Sequence, residues 1–257
     1  MATGERRPYL PEEDLYAYDG AGNTTDVTYR VSGFAQSGFS YLYNQANRLA
    51  EVRHGVPGAA QTTVGRYVYN ALGQQVVRRN TAFGAEEKTI SVHDLQGRRI
   101  AEYDKHPTTG ALTLLREYLW LDGWTPFAVV EGGQVYFLAW DTIGRPVAAF
   151  DSLGQAVWKA TYAPFGALET VEVDTNAIER PALRFPGQWF QAEHGLHQNW
   201  FRDYDPNTGR YLQADPLGLV DGPSVYGYAG QRPSKFLDPE GLRNWADIWC
   251  LTICGEV

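Results

Sequence analysis

The feature that most restricts the fold of this chain is a short phrase that returns at a nearly constant interval. Each copy has large, often aromatic residues before an Asp or Asn, and a Gly or Asn follows three positions later. The Asp or Asn stands at positions 19, 44, 70, 94, 141 and 151. The first steps are 25, 26 and 24 residues, and the next step of 47 is about two periods. A period in the twenties predicts a repeat architecture.

Each copy has the chemistry of a β-hairpin turn. An Asp or Asn side chain accepts hydrogen bonds from backbone amides two residues on, and Gly or Asn tolerates φ > 0. The flanking runs alternate, as in Arg48–Val52, and aromatic residues two apart share one strand face. We therefore predict an all-β fold, an antiparallel β-hairpin repeat array over residues 15–166. Helix is expected at most in residues 243–254. The predicted turns are 19–22, 44–47, 70–73, 94–97, 141–144 and 151–154.

Composition and charge narrow the possible functions. The chain has 27 Gly, 14 Pro and 14% aromatic residues, which favours short strands and turns over helices. A net charge of −8 argues against a nucleic-acid partner. The sequence has no apolar run of about 18 residues, so no membrane span is predicted. The N-terminus lacks the apolar segment of a secretory signal peptide.

No metal site and no cofactor are predicted. Cys250 and Cys254 are four residues apart near the end of the chain, but their neighbours are acidic and include no His. His194 and His197 are three residues apart, yet Gly195 lies between them in a strand-like context. A packing or hydrogen-bonding role is therefore the better interpretation of both histidines.

A second feature is the density of turn signals between Gln188 and Leu242. This stretch contains three Asp-Pro steps, at 205–206, 215–216 and 238–239, and the last two begin the phrase Asp-Pro-x-Gly-Leu. Asp accepts backbone hydrogen bonds, Pro restricts φ, and Gly supplies φ > 0, so each phrase predicts a tight turn. Aromatic and β-branched runs between the turns predict short strands folded back on themselves.

The string GLHQNWFRDYDPNTGRYLQADPLGL resembles the C-terminal end of the RHS/YD-repeat core, the RHS repeat-associated core of bacterial polymorphic toxins and insecticidal toxin complexes. The hairpin repeats resemble the YD repeats of the same family, so the likeness covers nearly the whole chain. The resulting division is a polar lead-in (1–14), a YD-repeat array (15–166), a connecting loop (167–184), an RHS core-associated plug (185–242) and a short tail (243–257).

The resemblance implies that the chain cuts itself. In the family, cleavage follows an Asp-Pro-x-Gly-Leu phrase and frees a variable C-terminal toxin from its carrier. The bond to be cut here would be Leu242–Arg243. The cleavage pattern is matched by Pro233, Asp238, Pro239, Gly241 and Leu242. The catalytic residues implied by the resemblance are Arg202, Asp203 and Asp215.

The chemistry of these residues is compatible with cleavage but does not require it. Aspartyl hydrolysis needs two carboxylates that share one proton, and an adjacent Arg keeps one of them ionised. Asp203 and Asp215 would meet if the turn at 205–209 folds the flanking strands together. Asp before Pro is also a common turn former, which explains Asp215 without catalysis. Asp203 could equally form an ion pair with Arg202 or Arg210.

Three functions remain open from the sequence. The first is an RHS-repeat carrier segment of a bacterial polymorphic toxin that encapsulates or delivers a C-terminal effector, at most a single-turnover aspartyl autoprotease. The second is a non-catalytic structural or adhesion module whose aromatic residues bind carbohydrate or protein. The third is an inactive remnant. Only 15 residues follow Leu242, too few for a toxin domain, so a truncated copy or a fragment is expected. Met1 favours a short gene product.

Expected partners follow from the first function. They are the rest of an RHS shell, a cognate effector or a secretion component. An incomplete shell also exposes unpaired strand edges, which favour association with another chain. We expect the chain to be cytoplasmic before export by a route that needs no signal peptide.

Overall fold

The computed structural model describes residues 12–31, 34–121, 123–174 and 181–246. Its main element is a sheet of 14 antiparallel strands in which each strand pairs with its neighbours in the sequence. The strands are β1 (Glu12–Tyr18), β2 (Thr24–Val31), β3 (Phe34–Tyr43), β4 (Leu49–Gly55), β5 (Gln61–Tyr69), β6 (Gln75–Asn80), β7 (Glu87–His93), β8 (Arg99–Lys105), β9 (Leu112–Leu119), β10 (Ala128–Glu131), β11 (Gln134–Trp140), β12 (Pro146–Phe150), β13 (Ala156–Tyr162) and β14 (Leu168–Val173). The predicted all-β hairpin array is confirmed.

All six predicted turns are formed. In each, the N–H of the fourth residue donates to the carbonyl of the first at 3.0–3.1 Å. The first side chain also accepts two amides, as Asp94 does from Gln96 at 3.0 Å and from Arg98 at 2.9 Å. The fourth residue has a φ between 55° and 85°, which explains why Gly or Asn stands there. The turn is thus satisfied by atoms within five residues of one another.

A second contact ties four of the hairpins to an earlier one. An aromatic residue just before a turn donates to the backbone carbonyl two residues after the end of an earlier turn. The pairs are Tyr43 Oη to Thr24 O (2.7 Å), Tyr69 Oη to Leu49 O (2.8 Å), Trp120 Nε1 to Arg99 O (3.0 Å) and Tyr162 Oη to Pro146 O (2.8 Å). His93 occupies the same position between Tyr69 and Trp120, and its buried Nδ1 has no hydrogen-bond partner. Each contact spans 16 to 21 residues and so links one repeat with another.

The sheet extends beyond the predicted array at both ends. β1 begins at Glu12, within the predicted lead-in. β14 occupies residues that were predicted as connecting loop, and this prediction is wrong for Leu168–Val173. The run Leu-Glu-Thr-Val-Glu-Val alternates and pairs with β13 from Tyr162↔Leu168 to Trp158↔Val173, so it is a strand by the same rule as the repeats.

Residues 181–246 form small sheets packed on one face of the large sheet. They include the predicted plug (185–242), and from here on the whole range 181–246 is called the plug. Four short strands pair in sequence order, and a further pair joins residues near the end. They are β15 (Trp189–Phe190), β16 (His197–Asn199), β17 (Arg202–Asp205), β18 (Arg210–Tyr211), β19 (Phe236–Leu237) and β20 (Trp245–Ala246), with a 3₁₀ turn at Ala229–Gln231. A helix was expected at most in residues 243–254, but Trp245 and Ala246 form strand β20, so this prediction is wrong for the beginning of that range. Residues 247–257, with Cys250 and Cys254, lie outside the described residues. No helix within the described ranges is long and apolar enough to span a bilayer.

The plug and the large sheet share a core. Leu196 and Leu212 of the plug pack among Tyr41, Val52 and Tyr67 of the sheet, all buried. The alternate residues of the same strands, such as Leu42 and Val68, are exposed. The aromatic pairs of the repeats therefore lie on the face that the plug covers, as the period-2 pattern predicts.

Polar contacts fix the position of the plug on the sheet. Buried Glu193 accepts a hydrogen bond from Tyr67 Oη at 2.8 Å and forms an ion pair with Arg78. Trp200 Nε1 donates to the carbonyl of Leu72 at 3.0 Å in a repeat turn. These groups come from positions more than 110 residues apart, so the site in the plug is positioned by the whole sheet.

Candidate functional site

Arg202 is the centre of the charged groups in the plug. It lies in β17 and is 2% exposed. One guanidinium nitrogen, Nη2, is 2.8 Å from Asp215 Oδ2 and 3.0 Å from Asp238 Oδ2, so the two carboxylates share it. Nε donates to the carbonyl of Gly241 at 2.6 Å. The guanidinium also lies 3.8 Å from the centre of the Tyr211 ring, a favourable cation–π distance.

Asp238 links this charge cluster to the predicted cleavage bond. Its Oδ1 accepts the amide N–H of Leu242 at 2.8 Å and that of Arg243 at 3.1 Å. Its Oδ2 accepts from Tyr211 Oη at 2.8 Å as well as from Arg202. Burial raises the pKa of Asp238, and the Arg202 charge acts in the opposite direction. A carboxylate thus touches the amide nitrogen of the Leu242–Arg243 bond.

Asp215 serves as a turn former and as an ion-pair partner with different oxygens. Its Oδ1 accepts the amide of Leu217 at 2.8 Å, and its carbonyl accepts the amide of Gly218 at 3.0 Å. Its Oδ2 faces Arg202. Asp215 can therefore stabilise its turn with Oδ1 and pair with Arg202 through Oδ2 at the same time.

The Asp-Pro-x-Gly-Leu phrase at 238–242 is held by its backbone. Gly241 has φ 69°, and a Cβ there would lie 2.5 Å from the carbonyl of Asn199. No larger residue fits at this close approach. Asn199 Nδ2 donates to the Asp238 carbonyl and to Tyr211 Oη, both at 2.8 Å. Pro233 and Pro239 are buried and Arg243 is exposed.

Asp203 lies on the opposite face of β17 from Arg202. Successive residues of a strand point to opposite faces, so the two cannot serve one pocket. Asp203 Oδ2 accepts from Gln213 Nε2 at 2.7 Å, and the Asp203 amide donates to Gln213 Oε1 at 2.8 Å. Its other oxygen is buried without a hydrogen-bond partner. Burial raises the pKa of Asp203 to about 6.

The structure therefore divides the residues that the sequence groups together. Arg202 pairs with Asp215 and contacts the Gly241 carbonyl in the cleavage phrase, whereas the Asp203 carboxylate is bound to Gln213. Asp203 pairs with neither Arg202 nor Arg210, the ion-pair partners considered from the sequence. The 205–209 turn does fold β17 against β18, with Asp205 opposite Arg210.

Sequence reasoning placed Asp238 in the cleavage pattern but not among the groups that could act on the bond. It also missed Asn199 and Tyr211, which orient Asp238. The available signal was the alternation of β17 and β18: residues 202 and 204, and their cross-strand partner 211, share one face. The contact to Asp238, 36 residues from Arg202, had no such signal.

The two histidines have packing roles. His197 Nδ1 is 2.8 Å from Gln188 Oε1, and His194 Nε2 is 3.2 Å from Gln191 Oε1. Burial lowers the pKa of both imidazoles, that of His194 to about 4. Within the described part of the chain no three His, Cys, Asp or Glu residues are grouped as a metal ion would require.

Comparison with known proteins agrees with this architecture. The family model described as the Teneurin YD-shell matches residues 12–221, which is most of the chain. The chain belongs to the YD-shell family of RHS/YD-repeat proteins. The match covers the large sheet together with the part of the plug that contains Arg202 and Asp215.

Curated relatives of this YD-shell chain include two proteins that are named as toxins. It is 29% identical to double-stranded DNA deaminase toxin A of Burkholderia cenocepacia over 79% of its length. It is 30% identical to the probable deoxyribonuclease RhsA of Dickeya dadantii over 90%, and 28% identical to toxin protein Tse5 of Pseudomonas aeruginosa over 88%. The chain spans only 15% to 18% of the length of these relatives.

Among solved structures, the Photorhabdus luminescens Tc holotoxin pore with a mutation in TccC3 shares the fold. The superposition has a TM-score of 0.50 at 16% identity and covers 92% of this chain and 15% of that chain. The YD-shell chain is thus similar in fold to a segment of a much larger protein.

Proposed function

We propose that this YD-shell segment is the C-terminal part of a toxin carrier and that its plug cuts the chain between Leu242 and Arg243. The observation that supports cleavage best is the contact of Asp238 Oδ1 with the amide nitrogen of Arg243, at 3.1 Å. A second carboxylate, Asp215, is held in the same cluster by Arg202.

The proposed reaction is hydrolysis of one peptide bond. The oxygen of a water molecule adds to the carbonyl carbon of Leu242, the bond to the Arg243 nitrogen breaks, and that nitrogen leaves as an amine with an added proton. One carboxylate of a pair takes the proton from water while the other, protonated, supplies a proton to the leaving nitrogen. We assign the second role to Asp238, whose Oδ1 accepts the Arg243 N–H in the uncut chain and must take up a proton before it can donate to that nitrogen, and the first role to Asp215.

Arg202 makes a division of roles between the two carboxylates chemically reasonable. Burial favours the protonated form of Asp238, and the Arg202 guanidinium acts in the opposite direction on its pKa. Arg202 also holds the Gly241 carbonyl through Nε, so the chain cannot rotate away from the acids. We therefore assign Arg202 as an orienting and charge-balancing group.

The carrier role is supported by the edges of the large sheet. Within the described residues, β1 and β14 are the terminal strands of the sheet, and each pairs with a strand on one side. The exposed side chains of Leu15, Tyr16 and Tyr18 lie on β1. Unpaired edges favour strand addition. We propose that further YD-shell strands pair there, that cleavage after Leu242 separates the carrier from the chain that follows it, and that export uses a route such as type VI secretion.

Intact mass under denaturing conditions tests the cleavage. The chain is 28.7 kDa over 257 residues, so loss of residues 243–257 removes about 1.7 kDa. We expect the purified chain to be shortened by this amount and Asp238→Asn and Asp215→Asn to remain full length, with thermal melting as the check on folding. A full-length wild type after days at mildly acidic pH would refute cleavage.

The matched control is Asp203→Asn. This substitution also replaces a buried carboxylate of β17 with an amide, but on the face away from the bond. The geometry predicts that this variant is still cut, whereas the sequence resemblance predicts that it is not. Cleavage in Asp238→Asn with none in Asp203→Asn would overturn our assignment of the acid.

A second candidate function is binding of a carbohydrate. A cavity of about 270 Å³ lies between the first strands and the plug. Its walls combine aromatic faces with polar groups, as sugar sites do: Tyr16, Tyr18, Tyr29, Tyr41 and Tyr226 with Asp205, Asn207 and Arg210. Calorimetric titration with a panel of oligosaccharides tests this function, and binding that Tyr18→Ala abolishes would support it.

A further inference from the structure

The chain that follows the Leu242–Arg243 bond is held by a third aspartate. Asp221 lies in the loop after the turn that begins at Asp215. Its Oδ2 accepts the backbone amide of Asn244 at 2.6 Å, and its carbonyl accepts from Asn244 Nδ2 at 3.3 Å. Neither the sequence pattern nor the carboxylate pair at the bond accounts for this contact.

Together with Asp238, Asp221 holds three consecutive backbone amides. The N–H groups of Leu242 and Arg243 donate to Asp238 Oδ1, and the next N–H donates to Asp221 Oδ2. Beyond them Trp245 pairs with Leu237 in the β19–β20 ladder. At 242 and 243 these contacts use the main chain alone, Asn244 adds its side-chain contact to the Asp221 carbonyl, and the Arg243 side chain is exposed.

We propose that Asp221 is a positioning residue that fixes the leaving side of the bond, and that the site recognises the backbone after Leu242 rather than the side chain at 243. This inference rests on the proposed self-cleavage. Its reason is geometric: a peptide bond anchored on one side only can swing out of line with the acids, and small misplacements cost large factors in rate. A site that reads main chain accepts different sequences after the bond.

The same arrangement retains the product. Hydrolysis converts the Arg243 nitrogen into an α-amino group, whose ordinary pKa of about 8 makes it cationic at neutral pH. In the uncut chain this nitrogen is 3.1 Å from Asp238 Oδ1, and the neighbouring amide is on Asp221. The new ammonium group therefore meets the Asp238 carboxylate while Asp221 holds the next amide, so we expect the cut segment to stay bound until the protein is denatured.

The contact itself is tested without cleavage. In an Asp215→Asn background, which keeps the chain intact, we expect the Asn244 amide to be protected from hydrogen exchange. Asp221→Ala should remove this protection and Asp221→Asn should retain it, because an amide oxygen accepts the same hydrogen bond. Equal exchange in all three proteins would overturn the contact.

The role in cleavage is tested by mass spectrometry over time. We expect Asp221→Ala to slow cleavage about tenfold or more, Asp221→Asn to recover most of that loss, and Arg243→Ser to stay within about threefold of wild type. An unchanged rate in Asp221→Ala, or loss of cleavage in Arg243→Ser, would refute the proposal. A wild type that is never cut would refute the proposed function alone, since the exchange experiment still decides the contact.

Discussion

The large sheet and the plug satisfy their polar groups over very different distances along the chain. In a repeat turn of the sheet, Asp94 bonds the amides of Gln96 and Arg98, two and four residues away. In the plug, Arg202 pairs with Asp215 and with Asp238, 36 residues away. Short-range contacts form as soon as the turn forms. The plug contacts exist only when three separate segments are in place.

The difference shows where chemistry is placed in this fold. The turn carboxylates are at the surface, and water can replace any partner they lose. Asp203 and Asp238 of the plug are buried, and an ionised group left there without a partner is costly. Burial raises the pKa of both carboxyls, and groups with perturbed pKa values are typical of sites that carry out acid–base chemistry. The repeats supply a frame, and the plug supplies reactive groups.

Removal of the shared guanidinium should give the largest effect. Arg202→Met keeps much of the side-chain volume but leaves Asp238 buried without its cation, so we expect the free energy of unfolding to fall by about 3–5 kcal/mol. Urea denaturation of full-length protein at neutral pH measures it. Arg210→Met, on the exposed neighbour strand, is the control. A loss below about 1 kcal/mol would show that the plug tolerates broken pairs as the turns do.

The second-largest expected change in stability comes from Asp203, which is buried on the face of β17 opposite Arg202. With a pKa of about 6 in the folded chain and about 4 when unfolded, Asp203 binds its proton more tightly in the folded state. Stability therefore falls as pH rises from about 4 to 6 and stays lower above. Asp203→Asn lacks this penalty and keeps the Gln213 hydrogen bond.

Asp203→Asn should thus be more stable than wild type by about 3 kcal/mol at pH 7, with the difference vanishing near pH 4. Urea midpoints at several pH values measure the curve. A constant difference across that range would mean that the Asp203 carboxyl does not titrate as burial predicts.

Loss of a turn contact in the large sheet should lower the free energy of unfolding by a smaller amount. Asp94→Ala removes the acceptor of two amides and the partner of Arg98 Nε, at 2.7 Å. Since these groups are only partly buried and water can reach them, we expect a loss of about 1–2 kcal/mol, seen as a lower melting temperature. Asp151→Ala, in a turn of the same geometry, should give a similar value. A loss as large as that of Arg202→Met would remove the contrast between the two regions.

The smallest expected change in stability comes from a substitution that restores a missing hydrogen bond between repeats. His93 stands where other copies have a Tyr or Trp that bonds the preceding hairpin, and a cavity of about 20 Å³ lined by His93 and Gln75 remains beside it. His93→Tyr should restore that contact to the Gln75 carbonyl and add about 1 kcal/mol of stability. Tyr69→Phe, which removes an existing contact, should lose a similar amount.

The gain from His93→Tyr should also depend on pH. Burial lowers the pKa of His93 to about 3, below its unfolded value near 6.5. Wild type therefore loses stability as pH falls below about 6.5, and the tyrosine variant does not lose this share. Melting curves at pH 5 and pH 8 measure it. A gain that is larger at pH 8 would contradict the assignment.

Much of the fold could be predicted from the sequence because its causes are local. The turns at Asp19 and Asp141 are predictable because these side chains accept hydrogen bonds from backbone amides only two and four residues away. The longest error, β14, arose because the stretch has no turn phrase, although Thr170 to Val173 alternate like the other strands. A strand needs only alternation and a free edge to pair with.

The site was predictable only in part, for a reason visible at β17. The sequence places Arg202 and Asp203 side by side, and the resemblance assigns both to one site. Because successive side chains of a strand lie on opposite faces, Arg202 contacts Asp238 and Asp203 contacts Gln213. Adjacent letters do not reveal which face meets the scissile bond.

The sequence by itself therefore determined the period, the turns and the all-β architecture, since each depends on hydrogen bonds within one repeat or between consecutive repeats. Only the tertiary structure decided which carboxylates meet Arg202 and that Asp221 holds the residue after Arg243. Those contacts join segments that are far apart in the chain, and they form only because the sheet buries the plug and excludes the water that would otherwise take their place.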